Sequence, residues 1–323
     1  MFDEVKSFFV SRGDKNPDQL EFNDMRASYF AQYPSTEKTS VITVANQKGG
    51  CGKTTTAINL AAALAKKNFK VLLIDLDSQS HASLGLGVDV DGLDRSIYEV
   101  MTKNVEFEKA IVKTYLDNLD IAPATPMLSG AQLEIADLLG KEGILRNALY
   151  KMINTRKKEY DYVIIDCSPS LNLLTLNAFV AAGYILIPIQ THYFALEGMR
   201  ELFSTVKIVK ERLNSGLRIL GILPTLFDKR TKMNRNILEQ IRDYFGDKIF
   251  KTSIRVNIAL AEASARKKSI FDAAPGSNGA VDYSAFSEEV VFLTKPEKIN
   301  QDKKTEKDGQ REENLEKGAA KSV

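Results

Sequence analysis

The sequence is poor in the side chains that most often form disulfides or bind transition metals. Its 323 residues include two cysteines, Cys51 and Cys167, and two histidines, His81 and His192. No Cys-x-x-Cys pair occurs, so the composition argues against a disulfide scaffold and against a His-rich metal site. This cysteine usage predicts a protein of the reducing cytoplasm.

Long hydrophobic runs are also absent. No stretch approaches the roughly 20 apolar residues that a membrane-crossing helix needs. The first ten residues carry Asp3, Glu4 and Lys6, which is not typical of a secretory signal. The sequence therefore predicts a protein with no transmembrane segment.

Composition along the chain predicts three regions. Residues 1–38 are polar and mixed in charge, and we expect a short N-terminal extension too small for an ordinary DNA-binding domain. Residues 39–293 alternate apolar runs with amphipathic stretches. Residues 294–323 are rich in Lys, Glu and Asp with few large apolar side chains, which predicts a charged, disordered tail.

The central region predicts an α/β fold, a mostly parallel twisted sheet with helices on both faces. Its apolar runs are β-branched and lack two-residue alternation, as expected of strands buried on both sides. Strands that alternate with helices favour parallel pairing. The predicted strands are Ser40–Ala45, Lys70–Asp75, Leu119–Ala122, Tyr162–Asp166, Tyr184–Ile189 and Leu217–Leu223, and the predicted helices are Thr54–Lys66, Ser129–Leu139, Gly143–Thr155, Leu196–Asn214 and Lys232–Phe245.

A glycine-rich loop follows the first predicted strand and precedes a helix. Its glycines allow backbone N–H groups to turn toward phosphate, and the helix N-terminus favours negative charge. Lys53 can reach the β- and γ-phosphates of a nucleotide, and the Thr54 hydroxyl can bind Mg²⁺. The predicted nucleotide-binding residues are Lys48, Gly49, Gly50, Cys51, Gly52, Lys53, Thr54 and Thr55.

This loop departs from the ordinary P-loop pattern. Gln47 stands where that pattern has its first glycine, and a second lysine, Lys48, begins the loop. The run Lys48–Thr55 instead matches the deviant Walker A pattern K-G-G-x-G-K-[ST]-[ST] in full.

Carboxylates end two of the predicted strands. Asp75 and Asp77 follow one apolar run and Asp166 ends another. Ligands of open parallel sheets bind at the carboxyl ends of the strands, beside the helix-borne loop. An aspartate here could instead cap the next helix, but its place beside a phosphate-binding loop favours a role at the nucleotide.

Together these motifs resemble the ParA/MinD superfamily, and within it the ParA/Soj partition ATPases. The resemblance spans about residues 40–291. It rests on the motifs Lys48–Thr55, Asp75–Gln79, Asp166–Leu171, Pro188–Gln190 with Ala195–Gly198, Thr225–Thr231 and Ala261–Ala263.

The resemblance implies an ATPase cycle with ATP and Mg²⁺ as cofactors. ATP would close two copies into a sandwich dimer that binds double-stranded DNA without regard to sequence, and a ParB-like adaptor would stimulate hydrolysis and release. Lys48, Lys53 and Asp77 are implied as catalytic, with Lys48 reaching the phosphates of the other subunit and Asp77 positioning water. Thr54, Asp75 and Asp166 are implied at the metal. The implied location is the cytoplasm, on the nucleoid.

Charge supports a DNA-binding surface. Residues 198–270 hold 16 Lys and Arg against 7 Asp and Glu, in a chain of net charge +2. Such an excess suits sequence-independent contacts with phosphate, although solvated helix faces would also explain it. Val256 and Ala259 stand where partition ATPases usually carry arginine. The predicted DNA-binding residues are Lys229, Arg230, Arg255, Arg266, Lys267 and Lys268.

Other readings of the same nucleotide loop remain open. The alternatives are a ParA-like ATPase that positions a chemotaxis cluster or a carboxysome, and a MinD-like ATPase of cell division. A MinD-like protein should end in a basic amphipathic helix, whereas residues 295–323 hold 8 basic and 7 acidic residues and no apolar face. A redox ATPase, a tyrosine kinase and a metabolic ligase are weaker alternatives. A redox ATPase would need cysteines that bind a metal cluster, a kinase of this superfamily would need a cluster of tyrosines in its tail, and a ligase would need a substrate pocket. None of these is evident in the sequence.

Overall fold

The computed structural model of this chain describes residues 39–155, 159–192 and 199–294. The predicted extension 1–38, the tail from residue 295 and the motif Ala195–Gly198 lie outside these ranges. Within the described residues, no helix is both long enough and apolar enough to cross a membrane. The domain boundaries at residues 38 and 293 stay predictions.

One seven-stranded sheet organises the described residues, in the order β3-β4-β2-β5-β1-β6-β7. All neighbouring strands are parallel except the edge pair of β3 and β4, which is antiparallel. The strands are β1 Ser40–Val44, β2 Val71–Leu76, β3 Val112–Lys113, β4 Leu119–Ala122, β5 Tyr162–Cys167, β6 Tyr184–Gln190 and β7 Arg218–Thr225.

Helices cover both faces of this sheet. The helices are α1 Lys53–Lys66, α2 His81–Gly85, α3 Ile97–Lys103, α4 Leu128–Glu134, α5 Ile144–Asn154, α6 Leu173–Ala181, α7 Met199–Arg212, α8 Lys232–Phe245, α9 Ile258–Ala265, α10 Ile270–Ala273 and α11 Asn278–Thr294. Short 3₁₀ turns lie at Phe107–Ala110, Lys141–Gly143 and Gly246–Lys248.

Two hydrophobic cores sandwich the sheet. Successive strand residues alternate between them, so Val41 lies in one core and Ile42 in the other. The core on the Ile42 side packs the sheet against α1 and α11, and the core on the Val41 side packs it against α3 to α8. Burial on both faces explains why the strand sequences are apolar runs without alternation.

The predicted fold class is confirmed, and all six predicted strands are present. The predicted helix Ser129–Leu139 is too long, because α4 ends at Glu134 and the chain continues in turns up to Gly140. The helix predicted from Leu196 is described only from Met199 and ends at Arg212. The sequence did not reveal β3, which has two residues, or six helices: α2, α3, α6, α9, α10 and α11. The helix α6 is apolar on nearly every side, so it shows little of the periodicity that reveals a surface helix.

Candidate functional site

The glycine-rich loop joins the C-terminal end of β1 to the N-terminus of α1. Gly50 and Gly52 have φ angles of +72° and +86°, which side-chain-bearing residues rarely adopt. Gly52 precedes α1 and no side chain caps the helix, so the N–H groups of its first turn remain available to an anion. The local sequence thus builds the backbone cradle predicted for phosphate.

The side chain of one lysine of the loop is hydrogen-bonded to the backbone of the other. The Lys53 side chain is buried, and its Nζ donates a hydrogen bond of 3.0 Å to the Lys48 carbonyl oxygen. Lys48 itself is half-buried and is not among the residues that line the cleft beside the loop. Of the two predicted catalytic lysines, Lys53 therefore lines the cleft and Lys48 does not.

Asp75 of β2 and Asp166 of β5 stand side by side. They are register partners on neighbouring strands, and both are fully buried. Asp75 is well supplied with donors, since Oδ2 accepts bonds of 2.9 and 2.7 Å from the N–H and hydroxyl of Ser83 and Oδ1 accepts one of 3.1 Å from Asp77 N–H. Burial raises the pKa of Asp75 to about 6, against these hydrogen bonds.

Asp166 has no comparable partners. Both carboxylate oxygens are buried without a hydrogen bond. Burial first, and the charge of Asp75 second, hold the pKa of Asp166 well above its usual range, while the neighbouring Thr54 hydroxyl and Lys53 oppose the shift. A buried carboxylate without partners is the feature that a divalent cation would complete.

The donor set suits Mg²⁺ held together with a nucleotide. Among the described residues, no group of three or more His, Cys, Asp or Glu side chains could hold a metal ion alone. Mg²⁺ is commonly bound by one or two protein ligands and completes its octahedron with water and substrate phosphate oxygens. Thr54 and Asp166 are the candidate ligands. Asp75 is instead held by Ser83, so we place it in support of the metal site rather than on the metal.

A cleft of about 630 Å³ lies beside the loop. Asp77 lines it, half-exposed, and its Oδ1 accepts a hydrogen bond of 3.0 Å from the Gln79 N–H. The lining residues are Gly49, Gly50, Gly52, Lys53, Thr54, Thr55, Leu76, Asp77, Ser78, Gln79, His81, Leu128, Ser129, Gln132, Ser168, Pro169, Ser170, Asn172 and Leu174. Six of the eight predicted loop residues, all except Lys48 and Cys51, thus line the same cleft as Asp77, the predicted water-positioning carboxylate. Asp166 is not among the lining residues.

Cys51 contributes its backbone rather than its thiol. The residue is fully buried and is not among those that line the cleft, and burial raises the pKa of the thiol. Cys167 is also buried, with its Sγ 3.2 Å from the Thr43 hydroxyl, and burial raises the pKa of this thiol to about 12. Neither thiol is presented for a cluster that two subunits could share.

Sequence reasoning missed several residues of the site. Ser168, Ser170 and Asn172 follow β5 and line the cleft, and their position just after Asp166 was the available signal. Two more residues outside the predicted loop form hydrogen bonds with its backbone. Asn46 accepts one from the Lys48 N–H, and Thr225 Oγ1 donates one of 2.8 Å to the Cys51 carbonyl. No motif identifies Thr225 as a partner of the loop, because 174 residues separate it from Cys51.

The basic residues predicted for DNA fall into two groups. Lys229 and Arg230 are exposed on the loop after β7, and a β-bridge between Phe227 and Arg255 brings the segment before α9 beside them. Arg266, Lys267 and Lys268 follow the C-terminal end of α9. An eight-residue helix is about 12 Å long, which is the distance between its two ends. The two groups therefore lie toward opposite ends of α9.

Arg230 and Arg255 differ sharply in their surroundings. The guanidinium of Arg230 binds Asp228 at 2.8 and 2.9 Å, yet the side chain stays 82% exposed. These hydrogen bonds lower the pKa of Asp228 to about 2. Arg255 is 27% exposed and binds Asp282 of α11 at 2.6 Å, so its first role is to join two segments of the fold.

The remaining residues predicted to contact DNA are exposed, but two of them also interact with neighbouring side chains. Arg266 pairs with Glu262 at 3.6 Å, and the Lys268 ammonium lies 5.5 Å from the centre of the Tyr115 ring. Near Arg230, Val256 and Ile258 are 52% and 76% exposed. The surface is therefore apolar at Val256, where the family resemblance led us to look for arginine.

Comparison with known proteins agrees with this geometry. A family model described as an AAA domain matches residues 39–219. The sporulation initiation inhibitor protein Soj of Bacillus subtilis is 41% identical over 251 residues, which cover 78% of this chain and 98% of that protein. The chromosome-partitioning ATPase Soj of Thermus thermophilus is 45% identical over 250 residues, which cover 77% of this chain and 94% of that protein.

A solved structure shares the fold. The structure described as cobyrinic acid a,c-diamide synthase of Mycobacterium smegmatis with bound ADP and magnesium is 35% identical, with a TM-score of 0.67. The match covers 77% of this chain and 93% of that one. The family model spans more than half of the chain, and the matches to the two Soj proteins cover nearly the whole length of each. This chain therefore belongs to the ParA/Soj family of partition ATPases, within the ParA/MinD superfamily.

Proposed function

We propose that this protein is an ATP-dependent DNA partition protein whose Mg·ATP form is a dimer that binds DNA without sequence preference. Hydrolysis, stimulated by a ParB-like adaptor, releases it from DNA. The buried, unpartnered carboxylate of Asp166 beside the phosphate loop carries the nucleotide part of this proposal, because a Mg²⁺-bound phosphate would complete it. We infer that the protein works in the cytoplasm, on the nucleoid.

The cleft supports phosphoryl transfer by positioning and charge neutralisation. Lys53 lines the cleft and would hold the β- and γ-phosphates. The Thr54 hydroxyl and Asp166 would hold Mg²⁺, which would neutralise charge on the phosphates. Asp77 lines the same cleft and would orient the attacking water. No side chain has to form a covalent intermediate.

Lys48 supports the dimer. It begins the loop, is half-buried and is not among the residues that line its own cleft. In a sandwich of two copies it would reach the phosphates of the other subunit and act as a cation supplied in trans, which is a strong accelerator of phosphoryl transfer. Each site would then be complete only in the dimer, so the bound nucleotide would control assembly.

Exposed basic residues support DNA as the surface. Lys229 and Arg230 project from the loop after β7, in a segment whose excess of positive charge is 9. Contacts with phosphate release counterions, so binding should weaken steeply with salt. Arg230 is the residue we expect to contribute most, because it is 82% exposed and its planar guanidinium suits phosphate.

The test is a titration of the purified full chain onto non-specific duplex DNA with ATP, ADP or no nucleotide, at two salt concentrations. We expect binding that requires ATP, falls about tenfold or more when salt is raised from 50 to 200 mM, persists in Asp77→Ala and is lost in Lys53→Ala. Arg230→Ala should weaken binding. The matched control is Lys109→Ala, an exposed lysine that precedes β3 at the opposite edge of the sheet.

The contrary outcomes are informative. Binding that ignores nucleotide would contradict the switch. ATP-driven dimerisation with no DNA binding in any state would favour the alternatives, a MinD-like positioning ATPase or a ParA-like ATPase on another surface, and the exposed Val256 and Ile258 would then mark that surface. DNA binding as proposed, with a chemotaxis cluster or carboxysome as cargo, would leave the switch correct and change only the adaptor.

A further inference from the structure

We propose that Asn46 is a positioning residue that sets the backbone of Lys48 and, through it, both lysines of the phosphate loop. Asn46 is the second residue after β1 and is 5% exposed. Asn46 is not among the residues that line the cleft. The proposal rests on the catalytic role proposed above for Lys48.

Both ends of the Asn46 amide are used. Nδ2 donates a hydrogen bond of 2.6 Å to the Pro188 carbonyl of β6, and Oδ1 accepts one of 3.1 Å from the Lys48 N–H. The orientation of the amide follows from its partners, because a carbonyl can only accept and an N–H can only donate. Aspartate or leucine at position 46 could not serve both partners.

The contact with Pro188 extends the sheet by one hydrogen bond. The β1–β6 ladder continues through the bond from Ala45 N–H to the Leu186 carbonyl. Two residues later Pro188 has no N–H with which to continue the ladder, and its carbonyl is taken by the Asn46 side chain. The loop therefore leaves the sheet at a point that is fixed by a buried side chain rather than by further strand pairing.

The contact with Lys48 carries this fixed point into the loop. The Lys48 N–H is held by Asn46, and the carbonyl of the same residue accepts the 3.0 Å hydrogen bond from Lys53 Nζ. Because one residue separates Asn46 from Lys48, losing the amide frees the peptide units on which the direction of the Lys48 side chain depends. We expect the ammonium of Lys48 to lose its preset direction across the dimer.

The test compares Asn46→Ala and Asn46→Asp with Lys48→Ala in the full chain, measuring ATP turnover, the affinity for a fluorescent ADP analogue and the melting temperature. Asn46→Ala should lower kcat at least about tenfold while the ADP dissociation constant changes less than about threefold. Asn46→Asp keeps the acceptor for the Lys48 N–H, so its kcat should lie nearer to wild type than that of Asn46→Ala. In the double variant, Asn46→Ala should lower kcat no further than Lys48→Ala alone.

Asn214→Ala is the structural control. The Asn214 amide also bridges backbone, donating to the carbonyls of Phe179, Val180 and Ala182, but it lies after α7 and outside the cleft lining. It should lower the melting temperature without the change in kcat. The proposal is overturned if Asn46→Ala behaves like this control, if its effect persists undiminished in the Lys48→Ala background, or if Lys48→Ala hydrolyses ATP at the wild-type rate. A wild-type protein that hydrolyses ATP but ignores DNA would contradict the partition function and leave this comparison intact.

Discussion

At the scale of single residues, Asp75 and Asp166 are register partners on neighbouring strands but differ in their hydrogen bonds. Asp75 receives three hydrogen bonds and Asp166 none, although both end apolar strands. The difference comes from Ser83 in α2, which faces one carboxylate and not the other. A buried carboxyl group without partners lowers the stability of the nucleotide-free protein. We therefore interpret Asp166 as a residue whose role is to bind a ligand, at a cost in stability.

Replacing Asp166 with asparagine should therefore stabilise the nucleotide-free protein and impair its function. Folding raises the pKa of this buried carboxyl, so the folded state disfavours its ionised form and loses stability as the pH rises above the unfolded pKa; asparagine cannot ionise and avoids this cost. We expect a melting temperature higher by about 2 °C or more without nucleotide, and a loss of Mg²⁺-dependent ATP affinity of about 10–100-fold. Differential scanning calorimetry and nucleotide titration with and without Mg²⁺ measure both effects.

Asp77→Asn is the matched control for this experiment. Asp77 is half-exposed and already accepts the Gln79 N–H, so neutralising it should lower ATP turnover without raising the melting temperature. A nucleotide-free Asp166→Asn protein that melts below wild type would contradict our interpretation of Asp166.

At the scale of elements, α11 ties the last part of the chain to the nucleotide-binding core. Tyr283 packs in the core beneath α1 and its hydroxyl lies 3.1 Å from the Thr56 hydroxyl of that helix. Asp282 accepts the backbone N–H and the guanidinium of Arg255, which precedes α9. The segment that carries Val256 and Ile258 is thereby held against a helix that packs on α1.

This arrangement separates two arginines that the sequence alone placed in one DNA surface. Arg255→Ala should cost about 1.5–3 kcal/mol of unfolding free energy, because it leaves the nearly buried Asp282 without its charged partner. Arg230→Ala should leave the unfolding free energy close to that of wild type, since its ion pair is exposed, but should weaken DNA binding. Chemical denaturation and DNA titration of both variants measure this contrast. If Arg255→Ala unfolds like wild type and loses DNA binding, the DNA prediction for Arg255 holds instead.

At the scale of the whole molecule, one sheet with a core on each face supports every part of the site. The loop, both aspartates and Thr225 lie at the carboxyl ends of β1, β2, β5 and β7. The last described residue, Thr294, still belongs to this unit, because its hydroxyl lies 3.0 Å from that of Tyr162 in β5.

We therefore expect residues 39–294 to fold and hydrolyse ATP without the segments outside them. The fragment should unfold cooperatively, with a melting temperature within about 3 °C of the full chain and an ATP turnover within about threefold. Calorimetry and an ATPase assay of both proteins test this. A fragment that ends at residue 290, which removes Thr294 and the last turn of α11, is the comparison and should melt lower. A fragment 39–294 that fails to fold would contradict the predicted boundaries at residues 38 and 293.

Local sequence was enough to predict the parallel sheet, the loop from Lys48 to Thr55 and the carboxylates that end β2 and β5. These features depend on neighbours in the chain: apolar runs, glycines that allow left-handed backbone, and a lysine and threonine at the start of a helix. Three features became visible only in the fold: Asp166 lacks hydrogen-bond partners, Arg255 binds Asp282, and the Asn46 amide binds the Pro188 carbonyl. These partners are 27 and 142 residues apart in the chain, so no local pattern encodes the contacts, and the packing of strands and helices alone brings them together.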